Sequence, residues 1–399
     1  MAVSEVLHPA KDPRSPVVIS PCDDYDPARV TEIIAGAMRA LGVTKDTLTG
    51  KRVAVKPNLV MKKPAEAAAT VHPTVLSGLL AFLDGCDCAD VVVAESPGGP
   101  YTEAALRANY RVSGMEAAVG GHHARLNEDV TARTVSVPEG KVCKQFEIIT
   151  PIADADVIFN LSKLKSHALT RMSGAVKNTF GTIPGLKKFE YHAQYNDHAD
   201  FNGMLVDLSL FLHTKCARMI DIQDAVIGME GNGPTGGNPR KIGAILCSEN
   251  PFNLDRVAEA ILGCPGEVPM VRDACARGFC PDSADAVPVI GTPWQNFAMT
   301  DFLPPETSIK NLVVFGKVFT QWFQPHPEIR VKTCIGCGEC VRSCPAHTIT
   351  LETGKDGKKH AQIHSEKCIR CFCCQELCPI HSVDIRRNWI LRLLAPSRR

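Results

Sequence analysis

Two cysteine runs of identical spacing near the C-terminus constrain this chain of 399 residues more than any other feature. Cys334, Cys337, Cys340 and Cys344 follow C-x2-C-x2-C-x3-C and are closed by Pro345. Cys368, Cys371, Cys374 and Cys378 repeat the pattern and are closed by Pro379. Three thiolates at such short intervals wrap a turn around three corners of a cubane, and in paired runs the fourth cysteine of each crosses to the other cubane. The spacing predicts two [4Fe–4S] clusters. Cys334, Cys337, Cys340 and Cys378 hold one, and Cys368, Cys371, Cys374 and Cys344 hold the other. The closing prolines fix φ, withhold a backbone donor and turn the chain away. Structural zinc would use two C-x2-C pairs split by a longer loop. A disulfide framework needs an oxidising compartment, and the first twenty residues carry no apolar run of signal-peptide length. Cys373 would break the spacing if exchanged for Cys374, and it reads as a packing thiol.

Charge is placed to match. From Arg330 onward there are 13 Lys/Arg against 6 Asp/Glu, a net of +7, which leaves −6 for the rest of a chain whose total is +1. Oxidised clusters with four thiolates carry roughly −2 each, so the basic excess is mostly internal compensation and not a nucleic-acid footprint. No apolar window reaches the length of a membrane span. Eighteen cysteines without an export signal point to a reducing cytoplasm, and low-potential clusters to an anaerobic or protected setting. The tail RRNWILRLLAPSRR, residues 386–399, reads as a basic amphipathic helix packed on its own domain, with peripheral membrane contact as the alternative.

Residues 1–300 alternate strand-like and helix-like segments, which predicts an α/β fold with a mostly parallel sheet flanked by helices. Strands are expected at Val17–Ser20, Arg52–Val60, Val91–Ala94, Val157–Leu161 and Lys241–Cys247. Helices are expected at Pro27–Leu41, His72–Leu83 with Thr70 as cap, Met204–Leu212 and Asn253–Leu262. Residues 301–329 form a proline-marked connector that Trp322 and Phe323 would pin to a surface. Residues 330–385 form a small ferredoxin-type α+β module with a hairpin turn at Gly354-Lys355-Asp356-Gly357.

In open α/β sheets ligands bind beyond the carboxyl ends of the strands. The polar residues there are Lys56 and Asn58 after one strand, then Lys163, Lys165 and His167 after another, followed by Lys177 and Asn178. They predict a cationic pocket for an anionic small molecule. Lys187 and Lys188 read as surface charge. Residues 224–237, DAVIGMEGNGPTGG, read as a loop whose backbone comes close to something, with Asp224 and Glu230 able to bind a cation, move protons or cap it. Gly231, Gly233 and Gly236 spell G-x-G-x-x-G, but Gly237, Asn238 and Pro239 follow, so no helix opens there and the dinucleotide reading fails. Cys264, Cys275 and Cys280 are a weak candidate for a third metal centre.

The segments VAVKPNLV, VHPTVLSGLLAFL, VVVAESPG, ADVIFNLSKLKSHALTRMSGAVKNTFGTIPG and IDIQDAVIGMEGNGPTGG, in that order, resemble the DUF362 family, many of whose members carry a C-terminal two-cluster ferredoxin domain. The resemblance covers roughly Val53–Gly278 and the cysteine module. It implies site positions at Lys56, Asn58, His72, Lys165, His167, Lys177, Asn178, Asp224, Glu230 and Asp255. Val71 stands where the family often has threonine. The family has no assigned activity, so the resemblance bears on fold, cofactor and site location. Three functions fit. A reductase would bind an anionic substrate at the lysine-rich edge, with His167 or Asp224 handling protons and Lys165 and Glu230 as further catalytic candidates. An electron carrier or reductive activator would dock a redox partner protein through the large domain. A scaffold would use its clusters structurally. Lysines around a closed cavity favour the first, and lysines on a convex surface favour the second.

Overall fold

The computed structural model describes residues 7–307, 324–354 and 356–386. Trp322 and Phe323, Lys355 and the tail from residue 387 lie outside the described residues.

The large domain is built on a nine-stranded sheet. Its strands are β1 (Val17–Pro21), β2 (Arg52–Pro57), β3 (Asp90–Val93), β4 (Arg125–Leu126), β7 (Val157–His167), β8 (Arg171–Ser173), β9 (Arg218–Glu230), β10 (Asn238–Ser248) and β11 (Val289–Gly291), in the order β11-β1-β10-β9-β7-β2-β3-β4 with β8 paired to β7. A separate antiparallel hairpin joins β5 (Ala132–Ser136) to β6 (Gln145–Ile149). Strands β4, β3, β2, β7 and β9 run parallel, and β10 lies antiparallel between β9 and β1. Alternate residues feed two cores. Ala54 and Ile158 face one, and Val53, Val55, Val157, Phe159 and Leu161 face the other.

Helix ends follow local chemistry. The helix Pro27–Ala40 starts with proline at its first position, and Asp26 caps it by accepting from the Arg29 amide at 2.9 Å. The helix Pro73–Leu83 is capped not by Thr70 but by His72, whose Nδ1 accepts from the Thr74 amide at 3.2 Å. His198–Lys215, longer than expected at both ends, is capped by Asp197.

Two strands exceed their sequence signal. Strand β7 runs on to His167, and all eleven of its residues are buried. Its second half carries Ser162, Lys163, Lys165 and Ser166, which look like loop residues but lie between β8 and β9. Asp224–Glu230 is the second half of β9 and not loop. The glycine-rich loop begins only at Gly231, and at Gly233 an added Cβ would stand 2.1 Å from the Ser166 carbonyl oxygen, so the loop presses against the end of β7.

In the cysteine-rich module, β12 (His326–Ile329) pairs with β15 (Val383–Arg386), and β13 (Ile349–Thr353) with β14 (Lys359–Ile363). The module packs on the large domain through its second cysteine run. Phe372 and Ile385 meet Ala168, and Cys373 and Leu377 meet Phe189. Thr235 Oγ1 donates to the Glu376 carbonyl at 2.7 Å, and Gln375 Nε2 to the Asn232 carbonyl at 3.0 Å. Among the described residues no helix is long and apolar enough to cross a membrane.

Candidate functional site

The two cysteine runs share one backbone. Residues Gly336 and Gly338 in the first, and Arg370 and Phe372 in the second, occupy equivalent left-handed positions, as do His347 and His381 after each fourth cysteine. Left-handed φ is costly for residues with a Cβ; its recurrence at Arg370 and Phe372 marks a wrap imposed by what the turn encloses. One space of about 340 Å3 is lined by Cys334, Cys337, Cys340 and Cys378, and another of about 310 Å3 by Cys344, Cys368, Cys371 and Cys374. Backbone amides aim at sulfur: Thr348 at Cys344 (3.3 Å), Ser382 at Cys378 (3.1 Å) and Ala361 at Cys334 (3.5 Å). Four thiols around a hole, with N–H groups directed at their sulfurs, fit a cubane. Cys264, Cys275 and Cys280 show no such arrangement: among the described residues no group of His, Cys, Asp or Glu side chains converges as a single-ion site, and Cys275 donates to Asp282 instead.

A third cavity lies where the module meets the carboxyl ends of β2, β3 and β7. It encloses about 600 Å3 including its mouth. The large domain contributes Asn58, Glu95, Ser96, His167, Lys177, Asn178, Lys188 and His192, with Phe180 and Phe189 as apolar wall; the module contributes Cys373, Glu376 and Leu377. Cys373 also lines the space between Cys344, Cys368, Cys371 and Cys374, so a single side chain is common to both walls.

A buried polar network supports this cavity. Lys56 is ion-paired to Glu95 and donates to Asn178 Oδ1 at 3.1 Å. Asn178 donates to Asn160 Oδ1 at 2.7 Å, Asn160 to Asp221 at 2.6 Å, and Asp221 meets His213 at 2.8 Å. Lys165 donates to Asn58 Oδ1 at 2.8 Å. Gly181 is required here, because a Cβ would lie 2.2 Å from Glu95 Oε1 and 2.6 Å from Lys56 Nζ. An aliphatic side chain at any of these positions would contribute about 1.5–3 kcal/mol by burial, whereas a buried ammonium costs free energy unless paired. The sheet forgoes stability at this edge, which makes it a candidate functional site.

Burial pushes the Lys165 and Lys188 ammoniums down to about 7 and lowers Lys56 and Lys177 as well, with Glu95 or Glu376 opposing the shift in each. Burial raises Glu95. Lys188 donates to the Ser96 carbonyl at 2.6 Å and to Ser96 Oγ at 3.1 Å. Lys177 has no hydrogen-bond partner among the described residues; its ammonium lies 4.7 Å from the centroid of the Phe180 ring and faces the cavity.

His167 is a donor and not a base. Its Nδ1 accepts from the Leu169 amide at 3.1 Å and the Thr170 amide at 3.4 Å, which places the proton on Nε2. That buried Nε2–H has no hydrogen-bond partner among the described residues. Burial, then Lys177 and Lys165, hold the imidazole neutral. Protonation at Nδ1 would require it to give up both amides, so of the proton-handling roles expected for His167 the geometry favours donation from Nε2.

Residues 53–260, just over half of the chain, match the family model described as Domain of unknown function (DUF362). The chain belongs to the DUF362 family. Residues 333–382 match the 4Fe-4S dicluster domain, so the C-terminal module is a 4Fe–4S cluster-binding domain. A thylakoid-associated protein of Synechocystis sp. is 38% identical over 134 residues, which is 33% of this chain and 40% of that relative. The match thus spans well under half of the relative's length. Among solved structures, a Thermotoga maritima protein (TM-score 0.36, 12% identity, 55% of each chain) and the lactate racemase apoprotein of Thermoanaerobacterium thermosaccharolyticum (TM-score 0.33, 13% identity, 59% of this chain and 55% of that one) are similar.

Four family-implied positions lie away from the cavity of the DUF362 domain. Asp224 is buried against Lys163 at 2.8 Å, accepts from Tyr25 Oη at 2.9 Å and from the His72 amide at 3.0 Å, and His72 stacks on Tyr25. This is a second polar cluster with its charges matched internally. Glu230 accepts from the Leu303 amide at 3.1 Å and braces the chain after the glycine loop. Asp255 accepts from the Ala175 and Val176 amides, positioning the segment that carries Lys177 and Asn178; burial raises it to about 7. Asp224, Glu230, His72 and Asp255 thus do not line this cavity, and each is held by the contacts just described. Glu95 and Ser96 line the cavity without having been singled out, and Lys188, expected as surface charge, lines it too. Lys187 and Lys188 part company: Lys187 pairs with Glu190 at 2.7 Å on the surface, and Lys188 turns inward.

Proposed function

We propose that this protein is an iron–sulfur reductase that binds an anionic acceptor in the cavity between its two modules. Two [4Fe–4S] clusters, ligated as Cys334/Cys337/Cys340/Cys378 and Cys344/Cys368/Cys371/Cys374, supply one-electron transfer when bound. The observation that carries the reading is Cys373, whose side chain lines both the second cysteine-ringed space and the lysine-rich cavity. A ligand there stands one side chain away from a redox centre.

The chain's own groups fit an anion. Lys177 offers an ammonium with no hydrogen-bond partner among the described residues and His167 Nε2 a neutral donor, while Lys188, held by Ser96 and Ile183, adds positive charge to the same wall. Phe180 and Phe189 supply apolar contact for the rest of the ligand. Lys188, poised near 7, can give up a proton to a reduced acceptor at neutral pH. An electron carrier docking through the large domain would need its lysines on an outer surface, and Lys56 and Lys165 are wholly buried.

Stopped-flow reoxidation of the reduced protein by small carboxylate- and phosphate-bearing acceptors tests this. The rate should saturate with acceptor concentration. Lys177→Met should weaken apparent affinity about tenfold or more, while ferricyanide, which needs no cavity, should reoxidise both proteins alike. An unchanged Lys177→Met response, or no reoxidation by any anionic acceptor, would sink the reading.

A further inference from the structure

The two cysteine runs are placed very differently. The second is covered by the large domain: Phe372, Cys373 and Leu377 are buried against Ala168 and Phe189. The first is turned outward. Ile335 is 65% exposed, Val331 48% and Ile380 39%, and Cys337 is exposed among them. Four of the nine exposed large apolar side chains among the described residues fall in this small module. An apolar crest on so small a module, with Ile335 and Ile380 bordering the same cysteine-ringed space, is worth explaining where single exposed residues are not.

The flanks of the crest are basic. Lys359 adjoins it through backbone, since a Cβ on Gly336 would stand 2.4 Å from the Lys359 carbonyl oxygen and 3.2 Å from its Cβ. Lys332 lies in the same exposed stretch as Val331. Neither lysine has an ion-pair partner among the described residues. Glu339, the acidic residue of this loop, is neutralised by Arg342 at 2.6 Å, and Arg342 also donates to the Cys337 carbonyl at 3.2 Å. The face therefore presents an apolar centre and a positive rim directly over one ring of cluster cysteines.

We propose that this face is the docking site of an acidic one-electron carrier protein, so that electrons enter at the first cysteine run and leave at the second. The inference rests on the electron-transfer reading above and adds its direction and its donor. The positive rim steers a negatively charged partner and orients it, and the apolar crest sheds water at close approach. Such contacts are small and short-lived, which suits repeated delivery. In each encounter the carrier is oxidised by one electron and the module is reduced by one; no bond is made or broken.

The test uses the full chain with reconstituted clusters and an acidic [2Fe–2S] ferredoxin as probe. Calorimetric titration should show binding at low salt that weakens about tenfold or more at high salt. The charge-reversal variant K332E/K359E should lose that binding, and ferredoxin-driven reduction should slow in parallel, whereas reduction by methyl viologen should keep its rate. Ile335→Gln should weaken binding without changing its salt dependence. Wild-type binding and reduction in K332E/K359E would overturn the proposal, as would binding that appears only after residues 387–399 are removed. A protein that viologen reduces but ferredoxin neither binds nor reduces would defeat the docking face and leave the cavity reading standing; failure with both reductants would defeat the two together.

Discussion

His167 Nε2 and Glu376 Oε2 stand 4.0 Å apart across the inter-module cavity, one on the last residue of a buried strand and the other on the cysteine-rich module. The gap is too wide for a hydrogen bond. The imidazole donor is thereby left available to a ligand, with a module boundary running through the site. His167→Leu should weaken binding of a probe anion such as phosphate by about tenfold, measured by anaerobic calorimetry, with clusters intact by their visible absorption.

Lys177 should separate binding from stability. Lys177 is half-buried and its ammonium has no hydrogen-bonded partner among the described residues, so Lys177→Met removes a partly desolvated charge and leaves no orphan behind. Denaturant unfolding should show unchanged or slightly increased stability, alongside loss of about 1.5–3 kcal/mol of anion affinity. Marked destabilisation would mean that Lys177 is structural.

The Lys56–Glu95 pair should behave in the opposite way. Glu95→Gln leaves the Lys56 charge buried and unmatched and should cost about 3–5 kcal/mol. The double variant Lys56→Met/Glu95→Leu should be less destabilised than the single. A double-variant loss equal to the sum of those of Lys56→Met and Glu95→Leu made singly would show that the pair is not coupled.

Anion binding should depend on pH around neutrality. Burial holds Lys165 and Lys188 near 7, below their ordinary range, so both are protonated below that pH and lose charge above it. A bound anion favours the ammonium, so binding at pH 7–8 should take up protons and affinity should fall as pH rises. In the free protein the sign for stability is the reverse. The unfolded lysines hold protons up to about 10.5 and the folded ones only to about 7, so stability should rise between those values. Calorimetry in buffers of different ionisation enthalpy measures the proton uptake. Binding without proton exchange would contradict the placement of these lysines.

Cys373 and Cys374 should differ in iron content. Cys373→Ala should keep about eight irons per chain, while Cys374→Ser should lose iron and absorbance. Equal loss from both would reassign the ligand.

Much of this site could be read along the chain. Lys56, Asn58, Lys165, Lys177 and Asn178 stand out because they follow apolar strand cores, where an α/β sheet presents its ligand edge. What escaped depended on direction. Lys188 follows Lys187 in one charged run, and only the turn of a short helix sends the first to solvent and the second inward. Asp224 sits before a glycine cluster and reads as loop; strand β9 is buried on both faces, so no alternation marks where it ends. His167 carries no sequence sign of its tautomer, which two amides of the following turn decide. The length of β7 was hidden for a similar reason, since its polar half is stabilised by neighbouring strands and not by its own composition.

The central claim is that the cavity and the second cysteine run form one functional unit. Electron paramagnetic resonance of the reduced protein, with and without a probe anion whose binding calorimetry has established, tests it most directly. A change in one reduced-cluster signal that disappears in Lys177→Met is the predicted result. Two signals unmoved by a bound anion would contradict it.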